Sequence, residues 1–243
     1  EHSAYYLAKA GCDVAVADID EGRAKQVADM VKGLGRKSVA IVGDALDVKQ
    51  AGAIVEGARK ELGGLDRLVT IVGQAIFWPT LDITPEQWDL DHNRNLRYVF
   101  FVAQAFAKQL IAAKQPGTAV FIVSVSGMQA AVQHAAYGAA KAGLENLIQT
   151  LAVEWAQHGI RVNGIAPGSI TTPRLADTPE RQEETRNSLI PMKRRGKTDE
   201  IGRAVLFLSS DLSSYVTGHT MPVDGGWMAA NILIRPDTSR LTA

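Results

Sequence analysis

Three side chains near the middle of this 243-residue chain have the types and the spacing of an acid–base site: Ser124, Tyr137 and Lys141. Tyr137 and Lys141 open a stretch that continues to Trp155, in which apolar residues recur every three or four positions and so predict a helix. Residues at i and i+4 share a helix face, so we expect the phenol and the ammonium group to lie side by side. Ser124 falls within an apolar run, residues 119–125, that predicts a buried strand.

A tyrosine next to a lysine makes chemical sense as a proton donor and acceptor. A free tyrosine has a pKa of about 10, and a fixed positive charge nearby favours the phenolate and lowers that pKa. A general acid or base works best when its pKa is close to the operating pH. Ser124 is placed to bind the same substrate oxygen. A Tyr-x-x-x-Lys spacing alone also fits a solvated pair on an ordinary helix.

Further motifs accompany Tyr137 and Lys141, and together they identify a family. The chain resembles the short-chain dehydrogenase/reductases of the classical type over nearly its whole length. The segments that carry the resemblance are Ser124 with YGAAK at 137–141, NL at 95–96 after Trp88, RVNGIAPG at 161–168 and VDGG at 223–226.

Strand and helix patterns alternate along the chain without an internal linker. This alternation predicts an α/β fold with a doubly wound parallel sheet and helices on both faces. The resemblance implies the same Rossmann-like architecture, as a single nicotinamide-dinucleotide-binding domain over residues 1–243. Residues 174–197, which are polar, are expected to form a substrate lid, with a plain surface loop as the alternative. Residues 227–243 are expected to form a C-terminal tail.

The resemblance assigns roles to four catalytic residues. Tyr137 exchanges a proton with the substrate oxygen, and Lys141 lowers the pKa of Tyr137 and holds the nicotinamide ribose. Ser124 stabilises the charge that develops on the substrate oxygen. Asn95 lies seven residues after Trp88, where the family has an asparagine that kinks a helix and completes a proton path.

The carboxylate of Asp18, at the end of a predicted strand, indicates the cofactor. An acidic residue in this position accepts hydrogen bonds from the ribose hydroxyls of NAD and repels the 2′-phosphate of NADP, so we expect NAD to be preferred. Helix capping is the alternative role for such carboxylates, and we assign it to Asp20 and, together with a cofactor contact, to Asp47. The cofactor-binding residues expected from the resemblance are Asp18, Ile19, Asp47, Val48, Val72, Gly73, Tyr137, Lys141, Pro167, Gly168, Ile170 and Thr172.

The first residues depart from the family pattern. Residues 1–10 predict a helix, but the strand and the glycine-rich turn that precede this helix in the family are not in the sequence. That strand is central in the family sheet, so its loss is expected to leave a gap. We expect the natural protein to begin about twenty residues earlier, the length of a strand–turn unit. A second departure replaces the usual Asn-Asn-Ala-Gly by residues 70–73, in which Ile71 and Val72 favour a strand.

Composition excludes several classes of partner. The formal net charge is zero and long basic clusters are lacking, which argues against nucleic acid; the densest basic run, residues 193–195, predicts a solvated loop. The single cysteine, Cys12, rules out an internal disulfide and is typical of a cytoplasmic protein. The histidines show no ligand spacing, so we predict no metal site, and the sequence shows neither a membrane span nor a signal peptide. The resemblance implies a homotetramer.

The sequence therefore predicts an NAD(H)-dependent oxidoreductase that interconverts a secondary alcohol and a ketone. Oxidation of a sugar or polyol is one alternative, and a cofactor-binding regulator without chemistry is another. The candidate pocket residues indicate an apolar or mixed substrate, and among them His134 is expected to be structural. They are Ile76, Phe77, Trp78, Met128, Val132, His134, Leu175 and Trp227.

Overall fold

Parallel strands form the centre of the molecule, and helices cover them. The computed structural model describes residues 1–230. The strands are β1 (Val14–Asp18), β2 (Ser38–Val42), β3 (Arg67–Thr70), β4 (Gly117–Ile122), β5 (Ile160–Pro167), β6 (Ile170–Thr171), β7 (Gly196–Lys197) and β8 (Thr220–Val223). The α-helices are α1 (His2–Lys9), α2 (Glu21–Gly33), α3 (Val48–Leu62), α4 (Pro85–His92), α5 (Tyr98–Ala113), α6 (Val125–Met128), α7 (Ala135–Trp155), α8 (Pro179–Asn187) and α9 (Thr198–Ser209). A π-helical turn, Asn93–Arg97, joins α4 to α5.

The strands form two main hydrogen-bonded groups. β3, β4, β5 and β8 make a four-stranded parallel sheet in that order, and β1 pairs in parallel with β2. Within residues 1–230, β1 and β3 do not pair with each other. The interruption lies where the sequence resemblance predicts a further strand. β6 and β7 form a separate two-residue parallel pair beyond the sheet.

Two apolar clusters hold helices against both faces of the sheet, as predicted. One cluster joins α3, α5 and α7 to β4 and β5, with Phe106, Phe121 and Leu144 fully buried. The other joins α1 and α9 to the opposite face through Leu7, Val205 and Leu208 together with residues of β4 and β5. Alternate residues of the central strands thus contribute to different clusters, as expected for strands buried on both faces.

Local sequence explains where several helices begin. The side chain of Asp20 accepts a hydrogen bond from the backbone N–H of Arg23, and Asp47 does the same for Lys49, so both are N-caps as predicted. Thr84 forms a capping box with Gln87 at the start of α4. These caps satisfy backbone N–H groups that have no partner within a helix.

Two predicted strands end earlier than expected. The strand predicted over residues 119–125 ends at Ile122, because Ser124 caps the short helix α6. The strand predicted to include Ile71 and Val72 ends at Thr70, and these two side chains are 52 % and 48 % exposed. Within residues 1–230, β3 has a strand partner on one side only, and its pairing with β4 ends at Thr70. Of the expected tail, residues 227–229 form a 3-10 turn, and residues 231–243 lie outside the described part of the chain.

Candidate active site

The structure brings Ser124, Tyr137 and Lys141 together at the carboxyl end of β4. Tyr137 and Lys141 occupy the first two turns of α7, as the spacing predicted. Ser124 caps α6, and its Oγ atom accepts a hydrogen bond of 3.1 Å from the backbone N–H of Ser126. Because that bond uses the oxygen as an acceptor, the hydroxyl proton of Ser124 remains available for a bond to Tyr137 or to a substrate oxygen.

Two glycines allow α6 and α7 to pack backbone against backbone. A Cβ atom on Gly127 would lie 2.7 Å from the carbonyl carbon of Lys141. A Cβ atom on Gly138 would lie 2.9 Å from the carbonyl oxygen of Ser126. Both distances are too short for any real side chain, so glycine at these positions lets Ser124 approach Tyr137.

Lys141 is buried, and its position is fixed by the strand below it. Its Nζ atom donates a hydrogen bond of 2.8 Å to the carbonyl oxygen of Ile122 and lies 5.8 Å from the centre of the Tyr137 ring. Burial penalises the ammonium form and lowers the pKa of Lys141 to about 8. The side chain is therefore close to its charge transition at neutral pH.

The pKa of Tyr137 shifts in the direction opposite to the one expected from its lysine neighbour. Burial of the phenol raises this pKa; the hydrogen bond with Ser124 lowers it in part, and the charge of Asp91 raises it further. Desolvation thus outweighs the stabilisation of a phenolate that the sequence predicted. Tyr137 is consequently a protonated phenol at neutral pH.

Asn95 lies in the π-helical turn, where the resemblance predicted a kink. Its Nδ2 atom donates hydrogen bonds to the carbonyl oxygens of Asp91, at 2.9 Å, and Gln74, at 3.2 Å, and its Oδ1 atom accepts one from the backbone N–H of Gln74. A Cβ atom on Gly73 would lie 2.8 Å from Asn95 Oδ1 and 3.5 Å from Lys141 Nζ. The structure therefore places Gly73, Asn95 and Lys141 side by side.

Tyr98 is a structural residue of the site that sequence reasoning missed. Its hydroxyl donates a 2.6 Å hydrogen bond to the carbonyl oxygen of Val72. Together with Asn95, it holds the segment that lacks the usual pair of asparagines. The sequence does show a tyrosine three residues after Asn95. Its hydrogen-bond partner is 26 residues away, however, and periodicity cannot identify such a partner.

Asp18 ends β1, as expected of a ribose-binding carboxylate, but it is not alone there. Its Oδ1 atom accepts hydrogen bonds from the backbone N–H of Asp20, at 2.9 Å, and from Arg23, at 2.8 Å. Partial burial raises the pKa of Asp18, but these bonds outweigh it and lower the pKa. Arg23 lies in the first turn of α2, which places its guanidinium group next to Asp18.

The other predicted cofactor residues follow the carboxyl ends of strands. Val72 and Gly73 follow β3, Asp47 and Val48 begin α3 after β2, and the remaining four lie at or after the end of β5. These four are Pro167, Gly168, Ile170 and Thr172. In an open parallel sheet, ligands bind at this edge.

The expectation of a solvated loop at residues 193–195 is wrong for Arg195, which is 7 % exposed. Its guanidinium group donates to Ser169 Oγ and to the carbonyl oxygens of Ile170, Leu175 and Ala176. These four acceptors come from the segment that holds Ile170 and from the beginning of residues 174–197. Enough neutral acceptors surround this guanidinium to offset part of the cost of burying it.

Comparison with known proteins gives a consistent result. The family model described as enoyl-(acyl carrier protein) reductase matches residues 1–228. A 2-dehydro-3-deoxy-D-gluconate 5-dehydrogenase of Dickeya dadantii is 34 % identical over 225 residues, which are 92 % of this chain and 88 % of that protein. A 3-oxoacyl-(acyl-carrier-protein) reductase of Thermotoga maritima is 36 % identical over 220 residues, 90 % of this chain and 89 % of that protein.

Solved structures agree with these relatives. A 7α-hydroxysteroid dehydrogenase in complex with NADH and 7-oxo-glycochenodeoxycholic acid superposes with a TM-score of 0.87 at 30 % identity, covering 93 % of this chain and 88 % of that one. The chain belongs to the short-chain dehydrogenase/reductase family. It is therefore an oxidoreductase of alcohols and ketones that uses a nicotinamide cofactor.

The site of this short-chain dehydrogenase/reductase fits such a cofactor. Only one of the three N–H groups of Lys141 has a partner within residues 1–230, which leaves donors for ribose hydroxyls. Large apolar side chains are exposed at the carboxyl ends of β1, β2 and β3, where an adenosine would cover them: Ile19, Val42 and Val72. A cavity of about 740 Å³ at the start of α1 includes Thr171, although no catalytic residue lines it.

The predicted pocket residues divide into three groups. The ring centres of Phe77 and His134 lie 4.7 Å apart with the rings tilted by 35°, and the ring centres of His134 and Tyr137 lie 5.2 Å apart. Met128 and Trp227 pack against the main apolar core, and Val132 points into solvent. Ile76, Trp78 and Leu175 are partly covered or half-exposed.

Residues 1–230 contain no group of three or more His, Cys, Asp or Glu side chains placed to bind a metal ion. Across the same residues, no helix combines the length and the hydropathy needed to cross a membrane.

Proposed function

We propose that this chain is an NAD(H)-dependent oxidoreductase that interconverts a secondary alcohol and a ketone, with Tyr137 as its acid and base. The observation that carries the proposal is the convergence of Ser124, Tyr137 and Lys141 at the carboxyl end of β4, next to Gly73 and the proposed cofactor residues. The cofactor supplies the hydride chemistry, and the protein supplies position, proton transfer and electrostatics.

Each side chain then has one task at the substrate oxygen. The protonated phenol of Tyr137 gives its proton to the oxygen of a ketone and takes it back from an alcohol. The free hydroxyl proton of Ser124 donates a hydrogen bond to the same oxygen and stabilises its developing charge. Lys141, with its pKa of about 8, replaces the proton on Tyr137. Asn95, which is buried beside Gly73 and Lys141, is assigned the next position in the proton path.

Substitution of Tyr137 by Phe tests the assignment, and Tyr215→Phe is the matched control because Tyr215 is fully exposed. We expect Tyr137→Phe to lower kcat by roughly 10²–10⁴-fold, the range for loss of a general acid. Tyr215→Phe should leave kcat unchanged. Retention of full turnover by Tyr137→Phe, in a screen of secondary alcohols with NAD, would refute the mechanism.

Preference for NAD over NADP is the second part of the proposal, and Asp18 supports it. A 2′-phosphate would meet this carboxylate, while ribose hydroxyls would donate to it. Arg23 forms an ion pair with Asp18 and so partly offsets the repulsion between this carboxylate and a 2′-phosphate. The same ion pair engages the Arg23 side chain. Titrating the wild type with NADH and NADPH, followed by energy transfer from tryptophan, should show tighter binding of NADH. Equal affinities for NADH and NADPH would mean that Asp18 does not select between the two cofactors.

A homotetramer in the cytoplasm is also part of the proposal. Exposed apolar side chains near the ends of α7 and α9, namely Val153 and Leu212, support an assembly. The unpaired thiol of Cys12 fits a reducing compartment. A monomeric mass in light scattering would refute the proposed tetramer. Export of the tagged chain from cells would refute the proposed cytoplasmic location.

A sugar or polyol dehydrogenase is the alternative function. The 34 % identical protein from Dickeya dadantii is named for oxidation of a sugar acid, which favours a polar substrate. Turnover of polyols in preference to simple secondary alcohols would select this alternative. A regulator without chemistry is disfavoured because Tyr137 and Lys141 are both present, one turn apart on α7.

A further inference from the structure

A buried ion pair lies beside the active site, where α4 passes into the π-helical turn. Asp91 is completely buried and Arg94 is 9 % exposed, and their side chains form an ion pair three residues apart. Charged residues are almost never fully buried unless they are paired, and even a paired charge costs free energy of desolvation. The presence of this pair therefore calls for an explanation other than stability.

The geometry of the pair leaves one carboxylate oxygen of Asp91 without a partner. Arg94 donates from Nε, at 3.0 Å, and from Nη2, but both hydrogen bonds go to the same oxygen, Oδ1. Within residues 1–230, the buried Oδ2 atom has no hydrogen-bond partner. An arginine that pairs with a carboxylate frequently binds both oxygens. Because Arg94 binds only one, part of the negative charge of Asp91 acts on its surroundings in the protein interior.

Tyr137 and His134 lie within reach of this charge. α4 and the π-helical turn both pack against α7, and Tyr137 is in the first turn of α7. Burial has the largest effect on the pKa of each ring, upwards for Tyr137 and downwards for His134, and the charge of Asp91 raises both pKa values. The two ring centres are 5.2 Å apart, so one carboxylate can act on both rings.

The other polar groups around Tyr137 do not share this effect. The hydrogen bond with Ser124, at the start of α6, lowers the pKa of Tyr137. The Nζ atom of Lys141 is 5.8 Å from the centre of the ring, and a positive charge there favours the phenolate. His134 is neutral at pH 7, because burial lowers its pKa. Among these four neighbours of Tyr137, only Asp91 opposes loss of the phenol proton through a negative charge.

The ion pair also joins the residues that hold Asn95. The backbone carbonyl of Asp91 accepts a 2.9 Å hydrogen bond from Nδ2 of Asn95, and Arg94 immediately precedes Asn95 in the π-helical turn. A Cβ atom on Gly73 would lie 2.8 Å from Asn95 Oδ1 and 3.8 Å from the carbonyl oxygen of Arg94. The pair therefore braces the turn that packs against Gly73, one of the proposed cofactor residues.

We propose that Asp91 is a positioning residue of the active site, whose buried carboxylate, held in place by Arg94, keeps Tyr137 a proton donor. Asp91 acts on Tyr137 through its charge and does not exchange the proton itself. This inference rests on the proposed function of Tyr137 and extends it. The neighbouring hydroxyl and ammonium groups favour the phenolate, and the charge of Asp91 balances them, so that ketone reduction continues to higher pH.

Direct titration of Tyr137 tests the inference without any turnover. The ultraviolet absorbance of tyrosinate is recorded against pH for each protein and for the same protein with Tyr137→Phe, and the difference reports Tyr137 alone. The double variant Asp91→Leu/Arg94→Met replaces the pair by apolar side chains, a change that buried ion pairs often tolerate. We expect its midpoint for Tyr137 to lie below that of wild type by about one pH unit, the effect of one nearby charge.

Two single variants separate the charge of Asp91 from its packing. Asp91→Asn removes the charge and keeps the shape, so it should lower the midpoint as the double variant does. Arg94→Lys keeps both charges but loses the planar guanidinium group, so it should leave the midpoint unchanged. A wild-type midpoint in both Asp91 variants would overturn the inference. An equal shift in Arg94→Lys would also overturn it, because the effect would then come from packing.

Asp29→Leu/Lys32→Met is the matched control, because Asp29 and Lys32 form an exposed ion pair with the same spacing on α2. It should leave the midpoint of Tyr137 unchanged. A shift in this control as large as that in the Asp91→Leu/Arg94→Met variant would show that the buried pair has no special effect, and the inference would be wrong.

Kinetics keep the inference separate from the proposed function. Reduction of 2-butanone by NADH needs the phenol, so kcat should begin to fall at lower pH in Asp91→Leu/Arg94→Met than in wild type. A loss of kcat that is equal at every pH, with an unchanged midpoint, would mean that the pair only supports the fold and would refute the inference. A lower midpoint in the titration would support the inference even if 2-butanone were not reduced, an outcome that would count only against the proposed function.

Discussion

Lys141 has a proposed role in proton transfer, but its buried location disfavours the charged form of its side chain. The side chain is buried, and its pKa falls from 10.5 to about 8. A shift of this size corresponds to about 3 kcal/mol against the charged form in the folded protein. The hydrogen bond to the carbonyl oxygen of Ile122 returns about 1 kcal/mol. Below pH 8 the charged Lys141 therefore lowers the free energy of unfolding, and its presence is explained by function and not by stability.

Replacement of Lys141 by Met should make the protein more stable and inactive. We expect a gain of about 2 kcal/mol in the free energy of unfolding at pH 7. Between pH 8 and about 10.5 the unfolded wild type binds more protons at Lys141 than the folded one, so wild-type stability from this group rises with pH. The advantage of the variant should therefore shrink towards pH 10.

Urea unfolding of both proteins at pH 7 and pH 9.5 measures this difference. Lys60→Met is the control, because Lys60 is exposed on α3 and its substitution should change stability by less than about 0.5 kcal/mol. A Lys141→Met protein that is less stable than wild type at pH 7 would show that the hydrogen bond to Ile122 outweighs the cost of burial.

The residues that sequence could predict are those whose partners are close along the chain. Tyr137 and Lys141 lie one turn apart on a single helix, so spacing alone placed them together. Arg195 and Tyr98 find their partners 19 to 26 residues away, across loops whose path periodicity does not encode. The raised pKa of Tyr137 also escaped prediction, because desolvation depends on the whole surrounding fold.

At the level of elements, the contact between α6 and α7 positions the site. It depends on Gly127, where an added Cβ atom would lie 2.7 Å and 2.9 Å from backbone atoms of Lys141 and Ala142. A helix backbone cannot yield as a side chain can. We therefore expect Gly127→Ala to push α6 away from α7, to cost about 1–3 kcal/mol of stability, and to lower kcat by up to about 10²-fold through displacement of Ser124.

Gly52→Ala is the matched control for Gly127→Ala. Gly52 lies within α3, and an added Cβ atom there would meet no atom within 4 Å. That variant should gain roughly 0.5–1 kcal/mol, because alanine favours a helix over glycine. Thermal unfolding and kcat are measured for both variants. A Gly127→Ala protein that is less stable but keeps its kcat would show that the packing of α6 against α7 does not position Ser124.

Elements with a cap in their own sequence were predicted more accurately than strand ends. α3 begins at Val48 after its cap Asp47 and ends at Leu62, as expected, because the capping bond is local. β3 was predicted too long, because apolar residues such as Ile71 favour a strand wherever one is possible. Whether they form one depends on a neighbouring strand, and β3 has a partner only on its β4 side.

At the scale of the whole molecule, the two groups of strands differ in pairing and burial, and within residues 1–230 no strand joins β1 to β3. β4 and β5 have strand partners on both sides, and their inward residues, such as Val120 and Ile165, are fully buried. β1 and β2 pair only with each other, and none of their residues is fully buried. Segments with fewer buried contacts open at lower free energy, so stability should differ between the two groups of strands.

Amide hydrogen exchange should therefore separate the two groups of strands. We expect amides of β4 and β5 to exchange only through global unfolding, and amides of β1 and β2 to exchange at least about tenfold faster through local opening. Val162→Ala, a truncation in the buried face of β5, should lower protection of β4 and β5 by about 2 kcal/mol and change that of β1 and β2 little. Mass spectrometry of peptides from each strand measures both effects. Equal protection in wild type, with an equal loss in the variant, would instead mean that the interruption does not weaken cooperativity and that both groups unfold as one unit.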